Sequence, residues 1–248
     1  MGLGMLSRYV MSTMYSYPRI IKNQLWFFIF EKSIFVYTEC MESLGKIFGS
    51  NHRVKIMRLF LFNESTAFDI DDITDRSKVK KTEARKEINA LLKIGFLKKK
   101  QFSKKVTLKK RNKEGKIQYK KNMTKGWVLN KRFDLIEPLK KLLIDSELIK
   151  EKEINSRLRK AGTIQLLLLS GIFTRDDNRK LDLLIVGKKL KKDILEKEIS
   201  VIESEIGREL RYAFFDASEF NYRVSMYDKL IRDVLENNHI KAIYKMDY

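Results

Sequence analysis

The apolar period of the chain changes at Gly95, and this change constrains the fold more than any other feature. Upstream, Ala84, Ile88, Leu91 and Leu92 fall at i, i+4, i+7 and i+8, one apolar stripe on a helix from about Lys80 to Ile94. Gly95 suits the left-handed position that follows a helix C-terminus. Downstream, Val106, Leu108, Ile117 and Tyr119 fall in stretches that alternate apolar residues with lysine. Trp127-Val128-Leu129 closes this set, and Lys113-Glu114-Gly115-Lys116 supplies a turn inside it. A helix that gives way to a period of two predicts a β-ribbon.

Two shorter helices are expected before it. Ser50 is a good N-cap for a buried helix with Val54, Ile56, Met57, Leu59 and Phe60, ended by the polar Asn63-Glu64-Ser65-Thr66. Asp69 can cap a second helix with Ile70 and Ile73 inward, and Asp71 and Asp72 lie in its first turn, where the helix dipole favours negative charge. Ser77-Lys78 makes a tight turn into the Lys80–Ile94 helix. Three short helices, the last two joined by such a turn, form a helix-turn-helix arrangement, and the ribbon after them is a wing.

Charge is segregated onto this part of the chain. The formal net charge is +20, which bears on partners rather than on fold: a surface of this kind attracts polyanions, nucleic acid or acidic membrane. Between Lys93 and Arg132 there are 16 Lys or Arg residues and a single acid, Glu114. Most of the excess therefore sits on the ribbon, where it can lie along phosphates and release their counterions. The outward face of the third helix carries Lys80, Lys81, Thr82, Arg85, Lys86 and Asn89. Arg and Asn can make bidentate contacts to guanine and adenine edges in the major groove. The expected DNA-contacting set is these six residues together with Lys98, Lys99, Lys100, Lys104, Lys105, Lys109, Lys110, Arg111, Lys113 and Lys116 of the wing.

The segment from Ser50 to Phe96 resembles the ArsR/MarR-like winged-helix regulators of prokaryotes. The residues that carry the likeness are Val54-Lys55-Ile56-Met57-Arg58-Leu59-Phe60 and the run from Glu83 to Leu97, with its leucine pair followed by glycine and a strand. The resemblance implies a DNA-binding transcriptional regulator of double-stranded DNA that acts as a homodimer. Many members sense metals through cysteine or histidine clusters. Here Cys40, His52 and His239 are the only such residues, so neither metal sensing nor a disulfide framework carries over.

Further along, Pro138 falls in the first turn of a helix near Asp134 to Ile144, and a second helix is expected near Glu147 to Lys160. The last third alternates strands and helices. Ile164–Gly171 and Leu181–Gly187 are apolar runs of strand length, Leu190–Ile206 has helical spacing, Arg211–Phe215 is a third strand, and Glu219–Asn237 reads as a long final helix. This third looks like a minimal nucleotidyltransferase domain, a family with a Gly-Ser turn after its first strand, an Asp-x-Asp on the second and a further Asp on a later one. Here the turn reads Ser170-Gly171, Lys180 stands for the first carboxylate, Asp182 for the second and Arg211 for the third. One carboxylate flanked by two cations is a poor magnesium site. Asp182 is expected to pair with Lys180 or Arg211, or to cap a strand end. Asp176, Asp177 and Asp216 could restore a site only if their loops fold back.

The expected class is therefore α+β: an uncertain extension over residues 1–40, a winged helix-turn-helix with a long basic wing over 41–132, linker helices over 133–161, and a small nucleotidyltransferase-like α/β domain over 162–248. The latter is expected to be non-catalytic, without cofactor, and to serve dimerisation or ligand input. Two alternatives stand beside this: a nucleotidyltransferase brought to its substrate by the winged helix, and an RNA- or ribosome-associated binding protein. The apolar run Leu25–Phe30 is too short for a membrane span and is not laid out as a signal peptide. It reads either as an amphipathic extension or as sequence upstream of a true start at Met41. A cytoplasmic protein without membrane contact is expected.

Overall fold

Ser50 opens the first helix of the main body as the sequence predicts: its side chain accepts a hydrogen bond from the Arg53 amide at 3.3 Å. The computed structural model describes residues 39–111, 117–144, 149 and 151–246, with side chains given for all but 39–42, 105–111 and 117–120. The Leu25–Phe30 run, Lys113, Lys116 and the expected start of the second linker helix at Glu147 lie outside the described residues. A helix α1 spans Glu39–Phe48, and Phe48–Tyr248 forms one compact unit.

Within that unit α2 (Asn51–Phe62), α3 (Ile70–Ser77) and α4 (Lys81–Lys93) precede a long antiparallel hairpin, β1 (Leu97–Arg111) and β2 (Ile117–Leu129). Asp69 caps α3 in a reciprocal capping box with Asp72, and Lys78 takes the left-handed conformation at its end, φ 53°. Ala84, Ile88 and Leu91 are fully buried, Leu92 partly, and Gly95 turns at φ 80°. A partly buried ion pair ties α2 to α4, Arg53 Nε to Glu87 Oε2 at 2.7 Å. The base of the hairpin is closed by Asn130, whose side chain donates to the Gly95 carbonyl at 2.8 Å.

The hairpin is also tied to the helices by a short bridge that the sequence does not announce. Phe68 and Trp127 exchange both backbone hydrogen bonds at 2.9 Å, so Phe68 forms an isolated antiparallel bridge to β2. Gly126 makes this approach possible, since a Cβ there would run into the Phe68 carbonyl and the Phe102 ring. The Phe60 ring meets Phe68 edge-on, centroids 5.6 Å apart.

After α5 (Ile136–Leu143) and α6 (Glu151–Leu158) comes a second sheet of order β5-β4-β3-β6, made of β3 (Thr163–Leu169), β4 (Leu183–Lys188), β5 (Tyr212–Phe215) and β6 (Ile240–Tyr244). The β3–β4 and β3–β6 pairs are antiparallel and β4–β5 is parallel. Leu167, Leu169 and Ile185 pack with Ile154 and Leu158 of α6 and Leu195, Ile199 and Ile202 of α7 (Lys192–Ile206) on one face. Leu166, Leu168, Leu184 and Val186 pack with Phe220 of α8 (Ala217–Ser225) and Ile231 and Val234 of α9 (Lys229–Leu235) on the other. Burial from both sides explains the uninterrupted apolar runs, although the pair is antiparallel. The molecule is thus mixed α and β with two small sheets.

One expectation is corrected. Glu219–Asn237 is not one helix but two, because the chain turns at Tyr227 with φ 54° and Asp228 caps α9 by accepting from the Leu230 amide. An aspartate able to bond the backbone locally offers an alternative to continuing the helix. The edge strand β6 has no counterpart in the sequence reading: its five residues carry a lysine and pair with β3 alone.

Arg58 joins the two halves of the unit. It is 1% exposed, and its guanidinium donates to the Leu143 carbonyl at the end of α5 and the Glu205 carbonyl near the end of α7, both at 2.9 Å. Helix C-termini carry unsatisfied carbonyls and partial negative charge, so two of them can hold a buried cation.

Candidate nucleic-acid interface

The expected basic face divides into cations without an ion pair among the described residues and cations engaged by carboxylates. Lys80, Arg85, Lys86, Lys98, Lys99 and Lys100 are exposed, as are Thr82 and Asn89 on α4. None of these six cations takes part in an ion pair among the described residues. Lys121 and Lys125 of β2, which the sequence reading did not single out as contacts, share that state. Their signal was available in the basic stretch, but only the register puts them on the ribbon opposite Lys105 and Gln101.

Two expected contacts are spoken for. Lys104 reaches Asp69 Oδ2 and Asp72 Oδ1, each at 2.7 Å, and so locks the capping box of α3 to the ribbon. Burial and the two aspartates act oppositely on its ammonium, and the aspartates prevail, raising its pKa. Asp69 shows the complement: burial pushes its carboxyl up, but the bond from Lys104 and those within the capping box bring it below the usual range. Lys81 pairs with the exposed Asp71 at 2.6 Å. Lys105, Lys109, Lys110 and Arg111 lie on β1, while Lys113 and Lys116 fall outside the described residues.

In the backbone register Lys105 stands opposite Lys121. The strands of the ribbon run up to 15 residues, about 50 Å at strand rise, so the cations are spread along a line rather than gathered in a pocket.

In the C-terminal sheet the residues singled out from sequence largely come together, but as a structural brace. Asp182, 1% exposed, accepts four hydrogen bonds: from the Ile172 amide at 2.9 Å, the Arg211 amide at 2.8 Å, and Arg211 Nε and Nη2 at 3.0 and 2.9 Å. Burial alone would raise its pKa, yet these bonds overcome it and hold the carboxyl below the ordinary carboxylate range. Gly171, at φ 56°, lets the backbone pass over that carboxylate where a Cβ would collide with it. The Ser170 hydroxyl is turned away, donating to the Leu181 carbonyl at 2.6 Å. Lys180 is not part of the cluster; it is exposed, and its amide donates to Asp233.

No family model, curated protein or solved structure matches this chain. The remaining carboxylates near the brace are likewise engaged. Asp176 pairs with Arg179 at 2.8 Å, Asp177 with Arg208 at 2.6 Å, and Asp216 caps α8. A carboxylate has about four acceptor positions, and Asp182 spends them on protein donors. Among the described residues no group of three His, Cys, Asp or Glu side chains is arranged to hold a metal ion, and no helix is long and apolar enough to cross a membrane.

Proposed function

We propose that the chain is a transcriptional regulator that binds double-stranded DNA through a winged helix-turn-helix, with α4 as recognition helix and the β1–β2 ribbon as wing. The observation that carries this reading is the run of unpaired cations. Several arginines of the C-terminal part are matched to carboxylates, as in Arg157 with Glu153 and Glu205 or Arg223 with Glu219 and Asp228. Exposed lysines and arginines left without partners along a line fit a partner that brings its own negative charge in a line.

Duplex DNA is favoured over RNA by α4. Arg85 and Asn89 are exposed one turn apart on a helix, and the B-form major groove, about 12 Å wide, admits a helix and displays base edges to it. The corresponding groove of A-form RNA is too narrow for side chains to read. Phosphate contacts by the wing would set position, and base contacts by Arg85 and Asn89 would specify.

The C-terminal sheet then serves association of two copies or reception of a signal rather than catalysis. The saturated bonding of Asp182 supports this: recruiting it to magnesium means displacing Arg211. Nucleotide with magnesium is expected to give no transfer to an acceptor, and a labelled product lost in Asp182→Ala would contradict that part of the reading.

The test of the whole is selection from a random DNA pool by the purified protein. Enrichment of a palindrome is expected, reflecting both base readout and a two-fold dimer. The double variant Arg85→Ala, Asn89→Ala should lose the enrichment while keeping weak backbone binding. No enrichment, with RNA retained instead, would overturn the DNA reading.

A further inference from the structure

Met123 lies near the middle of β2 and is 71% exposed. A single exposed apolar side chain ordinarily means little. Its setting here is unusual. Along the strand the same-face neighbours two residues away are Lys121 and Lys125, both exposed and both without an ion pair among the described residues. Across the ribbon its partner is Ser103, also exposed and too small to screen it. The Met side chain therefore stands exposed between two cations that have no ion pair among the described residues.

We propose that Met123 is an apolar wedge that inserts between base pairs from the minor-groove side of duplex DNA, unstacking and bending it. The inference rests on the DNA reading above and adds a mode of contact to it. Lys121 and Lys125 are four residues apart, about 13 Å at strand rise. That separation lets their ammonium groups reach the phosphates on the two rims of a minor groove about 6 Å wide, with the thioether held between them over the base edges. Apolar side chains, methionine among them, are used in this way by proteins that kink DNA from the minor groove. Methionine is unbranched and polarisable, so it can thread a narrow gap and lie against base faces. Exposed Gln101, opposite Lys125, adds a hydrogen-bonding group beside the groove floor. The free energy that keeps so exposed a side chain from being merely unfavourable comes when the groove desolvates it.

The experiment uses the full chain at low salt and a 30-base-pair A·T-rich duplex, with 2-aminopurine at successive positions and a donor–acceptor dye pair on its ends. The wild type is expected to raise 2-aminopurine fluorescence severalfold at one or two steps and to shorten the end-to-end distance. Met123→Ala should bind within about threefold of wild type, because the phosphate contacts remain, yet lose both signals; Met123→Leu should keep them. Equal unstacking by Met123→Ala, or wild-type binding without unstacking, overturns the wedge and leaves the DNA reading intact. Failure of the wild type to bind the duplex, or binding of duplex RNA in its place, overturns both.

Discussion

Arg211 grips Asp182 from two sides, Nη2 donating to Oδ1 at 2.9 Å and Nε to Oδ2 at 3.0 Å, while its own amide reaches Oδ2 at 2.8 Å. The carboxylate is buried and the guanidinium partly exposed. Removing the cation strands a buried charge. Arg211→Ala is expected to cost about 3 kcal/mol, the low end for a broken buried pair because two backbone amides stay in place. Urea unfolding measures it, and a change within error of zero would mean that the pair does not hold the sheet.

The same group sets part of the acid stability. The folded pKa of Asp182 lies below its unfolded value, since bonds from Arg211 and Ile172 overcome the effect of burial. Its contribution is therefore present above the unfolded carboxylate value, near 3.9, and is lost as pH falls through the folded value. Glu203 and Glu205 act oppositely: burial raises both, so their contributions are lost as pH rises through the raised values. Asp182→Asn should flatten the fall in urea midpoint below pH 4. Parallel wild-type and variant curves would contradict the assignment.

Gly126 tests how the β1–β2 hairpin is held. Alanine there would press on the Phe68 carbonyl and the Phe102 ring where the strands approach. Gly126→Ala is expected to destabilise the protein by about 2 kcal/mol, as overpacking does. Hydrogen exchange should locate the change at the Phe68 and Trp127 amides, which bond each other's carbonyls. Unchanged protection at those amides would contradict the tie.

Lys99 and Lys104 are expected to behave differently although both are lysines of β1. Lys99 is exposed and has no ion pair among the described residues, whereas Lys104 is bound to Asp69 and Asp72. Lys99→Ala should lower the salt dependence of DNA affinity by about one unit of log–log slope, the share of one phosphate contact. Lys104→Ala should instead cost about 1 kcal/mol of stability and leave the slope unchanged. Identical effects of the two substitutions would remove the distinction.

The local elements were legible because local physics sets them. Ser50 and Asp69 carry capping oxygens, the Ala84–Leu91 stripe has the helical period, and Gly95 has the positive φ its position requires. Asp182 was legible as a paired carboxylate, though not which cation would pair with it: Lys180 is nearer in sequence, but Arg211 on the neighbouring parallel strand edge is nearer in space. What the sequence did not disclose depends on long-range contact. The Phe68–Trp127 bridge joins residues with no shared pattern. Lys104 looks like every other wing lysine until register brings it over the capping box. Asp228 breaks the last helix because its carboxylate can cap a new one, a competition that periodicity does not weigh.

On the proposed reading, cations of α4 and the ribbon that have no ion pair among the described residues meet duplex phosphates. The most direct test is the affinity of the intact protein for duplex DNA across salt. Neutralising about 6–10 phosphates should weaken binding by about 10³–10⁵-fold between 50 and 200 mM salt, linearly in log–log form. An affinity that stays flat over that range would contradict the account.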